Sequence, residues 1–141
     1  MGRRKYGLLT EKQYLVLKLR LQGLTQEEIA KMLNTTRENI SIIERRARDN
    51  IRLAEETLNA YKELLAAGEV VIKPGTHLVE VPKLVISRAD ELGIKLRANF
   101  TMLYDEIRYG AGDCISGTRV EKPIKVLIFK DGSFDVVPIK Q

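Results

Sequence analysis

A run of polar and basic side chains between residues 36 and 48 has the chemistry needed to contact nucleic acid. Arginine can bind guanine with two hydrogen bonds, asparagine can pair with adenine, and small hydroxyl or methyl groups suit other base edges. Further arginines can neutralise phosphates. The base-edge candidates are Thr36, Arg37, Asn39, Ser41, Ile42 and Arg45, and the phosphate candidates are Arg45, Arg46 and Arg48. These side chains can act together only if one helix face presents them.

The segment from Leu24 to Ala47 predicts such a helix, as the second of a helix-turn-helix. Thr25 and Thr35 are each followed by glutamate three residues later, which is the spacing of a capping box. Asn34 falls at the turn, where a left-handed residue is needed. Ala30 is small enough for two helices to cross closely.

Apolar residues complete the pattern, because they recur on the inner face of both helices. They are Ile29, Ala30, Leu33, Ile40, Ile43 and Ala47. Thr25 and Gln26, at the start of the first helix of the pair, join the candidate DNA contacts. Helix pairs of this kind also occur in bundles that never bind DNA. For Glu38 and Glu44 we favour structural roles, in a cap and in an ion pair with Arg48.

Length and charge are compatible with a DNA-binding protein. The 141 residues are 44% apolar, enough for one ordinary domain or two small ones, and carry a net charge of +5. Residues 1–67 hold 13 basic and 9 acidic side chains, whereas residues 68–141 hold 11 and 10. The basic arm Arg3, Arg4 and Lys5 either reaches phosphates or a minor groove, or only aids solubility.

Cysteine and histidine give little support for catalysis or metal binding. Cys114 is the single cysteine, so no intramolecular disulfide can form, and with His77 it does not supply the four ligands of a structural zinc. A nucleophilic Cys114 would need a nearby base such as His77. We predict neither enzyme activity nor a cofactor or metal. No secretion signal or run of about 20 apolar residues is evident, so we expect a soluble cytoplasmic protein without membrane contact.

The helices around this pair are predicted from caps and periodicity. Thr10 begins a first helix, with Gln13 at capping-box spacing. Its apolar residues are too many for a narrow stripe, so we expect burial on more than one side; they are Tyr14, Leu15, Leu17, Leu19 and Leu21.

The third helix is predicted to be long, because no Gly or Pro lies between Thr36 and Ala67. These 32 positions would span about 48 Å. A heptad-like seam runs along it, at Ile40, Ile43, Ala47, Ile51, Ala54, Leu58, Tyr61 and Leu65. Beyond Ile51 the seam has no partner in the N-terminal half. We therefore favour a homodimer, with docking on the C-terminal half as the alternative.

The C-terminal half predicts a small mixed fold. Two β-rich runs flank an Asp131-Gly132 turn and favour an antiparallel hairpin, with Pro138 placing its last strand at an edge. The other expected elements are strands at 69–73 and 94–97, an extended segment at 76–81, helices at 82–92 and 100–110, and a loop at 110–117. The fold class is α+β, with a helix-turn-helix domain at 1–67 and a small α+β domain at 68–141.

The two halves together resemble the archaeal Tfx family of DNA-binding transcriptional regulators. The resemblance rests on segments 9–13, 23–30, 36–41 and 45–48, and in the tail on 89–95 and 130–132. It implies sequence-specific binding of double-stranded DNA through the N-terminal domain. For the tail it implies an assembly or regulatory role. Apart from the resemblance, two other roles compete for the tail: binding of a small ligand near residues 110–113, where we favour a plain connecting loop, and contact with the transcription machinery. The first helix also resembles those of sigma-region-4 and LuxR-type modules, so a protein-interaction module is the alternative.

Overall fold

A computed structural model describes residues 5–139, and its contacts group the chain into two compact units. One unit ends at Leu58 and the other begins at Asn59. The predicted α+β class is confirmed, with helices first and an antiparallel sheet in the second unit. No helix within residues 5–139 has the length and apolar character required to cross a membrane.

The N-terminal unit contains α1 (Glu11–Leu21), α2 (Gln26–Met32) and most of α3 (Arg37–Leu65). The capping box of α1 is confirmed: Thr10 Oγ1 accepts the Gln13 N–H at 3.1 Å, and Gln13 Oε1 accepts the Thr10 N–H at 3.0 Å. The buried core of this unit consists of Val16, Leu19, Ile29, Ala30 and Ile40.

The predicted burial of α1 on several sides is wrong. Its buried residues form one narrow stripe, Gln13, Val16 and Leu19. Tyr14 and Leu15 are exposed, and Leu21 is 89% exposed. The physical reason is that the core of the unit meets only one face of α1, so the remaining apolar side chains extend from its other sides.

The prediction of one long third helix is confirmed, since α3 is continuous over 29 residues. Ile40 and Ala47 of its seam are fully buried. The seam beyond them is not, because Ile51, Leu58, Tyr61 and Leu65 are all exposed.

The C-terminal unit is built on a three-stranded antiparallel sheet. Its strands are β1 (Gly68–Ile72), β4 (Ile124–Ile128) and β5 (Phe134–Pro138), in the order β1-β4-β5. The predicted hairpin, the third strand and the edge position of Pro138 are therefore confirmed.

Helices pack on one face of this sheet, and ion pairs from α3 reach the other. The helices α4 (Val81–Glu91) and α5 (Phe100–Gly110) contribute Val85, Leu103 and Ile107 to one core with Ile124 and Val126. On the opposite face, Lys62 Nζ of α3 lies 2.6 Å from Asp135 Oδ2, and Lys125 Nζ lies 3.3 Å from Glu63 Oε1. Ion pairs thus join the last turns of α3 to the sheet.

Three expectations for the C-terminal half are wrong. Segment 76–81 is extended only at its start, where His77 forms a bridge with Arg119, because a 3₁₀ turn covers Leu78–Glu80 and α4 begins at Val81. Segment 94–97 forms no strand. The loop at 110–117 contains a 3₁₀ turn and β2 (Ile115–Ser116), which pairs with β3 (Arg119–Val120). The 3₁₀ turns and the two-residue strands are too short to produce a recognisable hydrophobic period in the sequence.

Candidate nucleic-acid interface

Local hydrogen bonds build the helix-turn-helix as the sequence predicts. Thr25 Oγ1 accepts the Glu28 N–H at 3.1 Å and so caps α2. Asn34 is left-handed, with φ of 53°, and the Thr35 N–H then bonds the Ala30 carbonyl at 2.9 Å. These contacts end α2 and turn the chain into α3 within a few residues.

The cap of α3 differs from its prediction by one residue. Thr36, not Thr35, accepts a backbone N–H, that of Asn39 at 3.1 Å. Thr35 Oγ1 instead accepts the Asn39 side-chain amide at 2.9 Å, so the predicted Thr35–Glu38 capping box is wrong. The reason is that the Thr35 backbone N–H still bonds α2, which delays the start of α3 to Arg37.

The early turns of α3 present most of the predicted base-reading side chains to solvent. Arg37, Ser41 and Arg45 follow one another at intervals of four residues and therefore share a face. All three are exposed, as are Thr36, Arg46 and Ile42. Asn39 is half-buried by its contact with Thr35.

A buried carboxylate lies beside this face and joins all three helices. Glu44 is 5% exposed. Its oxygens accept hydrogen bonds from Gln26 Nε2 at 2.8 Å, Arg48 Nη2 at 2.7 Å and Arg20 Nε at 3.2 Å. Arg20 also donates to the Leu24 carbonyl at 3.1 Å. We call Glu44, Gln26, Arg48 and Arg20 the Glu44 cluster.

The Glu44–Arg48 pair is confirmed, but sequence reasoning missed Arg20 and Gln26. A signal existed, since Glu44 lies four residues after Ile40 and three before Ala47, on the buried side of α3. A charged group there requires partners from the neighbouring helices.

These partners determine the ionisation of Glu44. Burial raises its pKa, but hydrogen bonds from Gln26, Arg48 and Arg20 outweigh burial, so the pKa falls from 4.5 to about 2. The carboxylate therefore stays charged at neutral pH and holds the three donors in place.

A depression of about 380 Å³ opens over the cluster, on the side of α3 that carries Ser41 and Arg45. Its lining combines three arginines with two carboxylates; it consists of Arg20, Gln26, Ser41, Glu44, Arg45, Arg48 and Asp49. Gln26 and Arg48, both predicted DNA contacts, thus make structural hydrogen bonds in the free protein.

The remaining candidates lie elsewhere. Arg3 and Arg4 fall outside the described residues, and Lys5 is exposed with its ammonium 5.5 Å from the centre of the Tyr6 ring. Cys114 is buried, and His77 Nδ1 accepts the Val79 N–H. Across residues 5–139, His, Cys, Asp and Glu side chains form no group of three that could hold a metal ion.

Comparison with known proteins accounts for both halves of the chain. Residues 54–136 match the family model described as the C-terminal part of the DNA-binding protein TFX. The chain belongs to the Tfx family. Residues 7–53 match the model of sigma-70 region 4. The Tfx family consists of DNA-binding transcriptional regulators and is not an enzyme family.

Several relatives in the Tfx family are similar over nearly their whole length. DNA-binding protein Tfx of Methanothermobacter thermautotrophicus is 33% identical over 132 residues, or 94% of this chain and 96% of the relative. A provisionally named transcriptional regulatory protein of Methanocaldococcus jannaschii is 45% identical over 130 residues, covering 92% and 95%. One from Methanococcus vannielii is 37% identical over 130 residues, covering 92% of each.

Proposed function

We propose that this chain is a sequence-specific, DNA-binding transcriptional regulator that inserts the start of α3 into the major groove. The observation that carries the proposal is the exposed, polar and basic face of a helix capped at Thr36. Side chains of these types read base edges and neutralise phosphates. Thr25 and Gln26, at the start of α2, are expected to add contacts to the DNA.

The first test is to select binding sites from random DNA and to measure anisotropy with selected and scrambled sites across a salt series. A preference on the order of a thousandfold would establish a sequence-specific regulator. Equal, salt-sensitive binding to all sequences would contradict sequence specificity.

Arg37 and Asn39 are expected to discriminate bases, because both lie at the start of α3. Replacing either with alanine should cost about 1–3 kcal/mol at one base pair and relax preference there. Binding of single-base variants of the selected site measures this effect. Glu38→Ala is the matched control on the same turn. An unchanged base preference removes that residue from the reading set.

Arg45 and Arg46 are expected to bind phosphates, as is Arg48 when DNA is present. The double change Arg45→Ala and Arg46→Ala should weaken binding to every sequence and reduce the slope of log K against log salt by roughly 2. The control is Lys83→Ala with Lys95→Ala, which removes two exposed charges from the C-terminal unit. An equal change of slope in both variants would show a general effect of net charge.

The functional division that we propose assigns DNA binding to residues 1–67 and assembly or effector response to residues 68–141, in a homodimer. It is supported by the separate apolar core of the C-terminal unit. A twofold-symmetric selected site and a dimer mass by light scattering are the expected results. A monomer mass at all concentrations would contradict the homodimer alone.

The alternative function is a sigma-region-4-like module that contacts the transcription machinery. The observation in its favour is an apolar groove on α1 of about 380 Å³, lined by Leu9, Tyr14, Leu17, Lys18, Leu21 and Gln22. Complete lack of DNA binding at low salt would favour this alternative over the regulator.

A further inference from the structure

The distal half of α3 carries an apolar seam whose large side chains stay exposed among the described residues 5–139. Taking Ile51 as heptad position a, the a and d positions that follow are Ala54, Leu58, Tyr61 and Leu65. Leu58 is 58% exposed, Tyr61 57% and Leu65 54%. The earlier a and d positions Ile40, Glu44 and Ala47 are buried by the helix-turn-helix itself. The free seam therefore begins one turn after Ala47.

This arrangement disfavours a parallel pair of α3 helices. Paired helices lie about 8–10 Å apart, while each helix with its side chains is about 10–12 Å wide. Ile51 follows Ala47 by only about 6 Å along the axis. In a parallel pair, the first layer of seam contacts would be the Ile51 residues of the two chains. The helix-turn-helices of both chains would then have to fit into the same narrow space between the helices, about 6 Å further along the axis. An antiparallel pair places only one of them at each end.

Charges beside the seam favour the antiparallel arrangement and select its register. Glu55 and Lys62 both occupy position e, and e positions face each other in an antiparallel pair. If the pair is centred between Asn59 and Ala60, Glu55 and the partner's Lys62 are offset by only two residues, about 3 Å along the axis, which these long side chains can span. Lys62 also binds Asp135, but an ammonium group has three donors and can serve both carboxylates. A parallel pair would place Glu55 opposite the partner's Asn50, without an ion pair.

The same register gives complementary packing in the seam. Leu58 lies against the partner's Tyr61, and Ala54 lies against the partner's Leu65, so a small side chain meets a large one. Each contact occurs twice because a twofold axis relates the chains.

We propose that two copies of this chain pair through residues 54–65 of α3 in an antiparallel arrangement centred between Asn59 and Ala60. The proposal rests on the homodimer of the proposed function, but assigns its pairing surface to α3 and leaves effector response as the role of residues 68–141. The partner is a second copy of this chain because its seam and its flanking charges complement each other after a twofold rotation.

The first test compares two equivalent changes on α3. Leu58 lies in the seam, whereas Leu53, 50% exposed, occupies position c outside it. Leu58→Asp places two charges in the apolar layers and should raise the dimer dissociation constant by about 100-fold or more. Leu53→Asp should leave that constant unchanged. Light scattering over a concentration series measures both, with circular dichroism to confirm that each variant is folded.

The second test identifies the direction of pairing. Ala54→Cys and Leu65→Cys are made separately in a chain carrying Cys114→Ala, then mixed and oxidised. The antiparallel pair should give the mixed disulfide, because like positions lie about 16 Å apart along the axis. A parallel pair would give Ala54→Cys homodimers. The two chains differ in mass, so mass spectrometry distinguishes these products.

The outcomes separate this proposal from the proposed function. A dimer that survives Leu58→Asp overturns pairing through α3 but leaves the homodimer standing. Homodisulfides without the mixed product overturn the antiparallel direction. A monomeric wild-type chain overturns both the homodimer and its surface, whereas the selected-site experiment tests DNA recognition independently.

Discussion

Replacing Glu44 with alanine should lower the free energy of unfolding of the N-terminal unit by about 2–3 kcal/mol. Glu44 accepts hydrogen bonds from Arg20 of α1, Gln26 of α2 and Arg48 of α3 itself. Its loss leaves these donors without their shared acceptor. The cost stays below that of a fully buried pair, because the Arg20 and Arg48 side chains are 36% and 62% exposed and can be hydrated.

Denaturant unfolding followed by circular dichroism measures this loss, with Glu38→Ala as the control. Glu38 is an exposed glutamate on the same helix. Because its predicted capping box is absent, its replacement should change stability by no more than about 0.5 kcal/mol. Equal effects of the two changes would show that the Glu44 cluster does not hold the three helices together.

The contribution of Glu44 should also depend on pH in a defined direction. Its pKa in the folded chain, about 2, lies below the ordinary value of 4.5. A carboxyl group with a depressed pKa stabilises the fold above its unfolded pKa, and this contribution is lost as pH falls through the folded value. The stability difference between wild type and Glu44→Ala should therefore be full at pH 6 and shrink between about pH 4.5 and 2. A difference that stays constant over this range would contradict the assigned pKa.

Features determined by neighbours in sequence could be predicted from the sequence. The caps at Thr10 and Thr25 each depend on a hydrogen bond to a residue three positions away. The left-handed conformation of Asn34 depends on one residue type at a turn. The hairpin strands carry their own β-branched pattern. In each case the stabilising contact lies within the segment that carries the signal.

Features determined by distant contacts could not be predicted in the same way. Arg20 and Gln26 are separated from Glu44 by 24 and 18 residues. Spacing alone does not bring such positions together. The exposure of Tyr14, Leu15 and Leu21 on α1 was missed for a related reason. Periodicity shows which residues of a helix are apolar, but not how many sides of the helix pack against other elements.

The start of α3 shows how two local signals can compete. Thr35 and Thr36 are both able to cap a helix, and Thr35 alone has a glutamate at the right distance. The structure selects Thr36, because the Thr35 N–H is needed to finish α2. The side chains of Arg37, Ser41, Arg45 and Arg46 are exposed, as predicted. Their contacts with bases and phosphates stay predictions until DNA binding is measured.

Replacing Gly132 with alanine should destabilise the C-terminal unit by about 3 kcal/mol. Gly132 has φ of 88°, a left-handed conformation that costs an L-residue about 1–2 kcal/mol. A methyl group there would lie only 2.5 Å from the Lys95 carbonyl oxygen, so the backbone must shift. That shift would strain the hydrogen bond from the Arg97 N–H to the Gly132 carbonyl, now 3.0 Å, which joins segment 94–97 to the hairpin.

Gly75→Ala separates the two causes. Gly75 has a similar φ of 91°, but a methyl group there meets no atom within 4 Å. Its replacement should therefore cost only the conformational term, about 1 kcal/mol. Thermal and denaturant unfolding of the two variants, followed by circular dichroism, gives the difference that is due to the Lys95 contact. If both variants lose the same stability, the hairpin turn does not pack against segment 94–97 as tightly as these distances require.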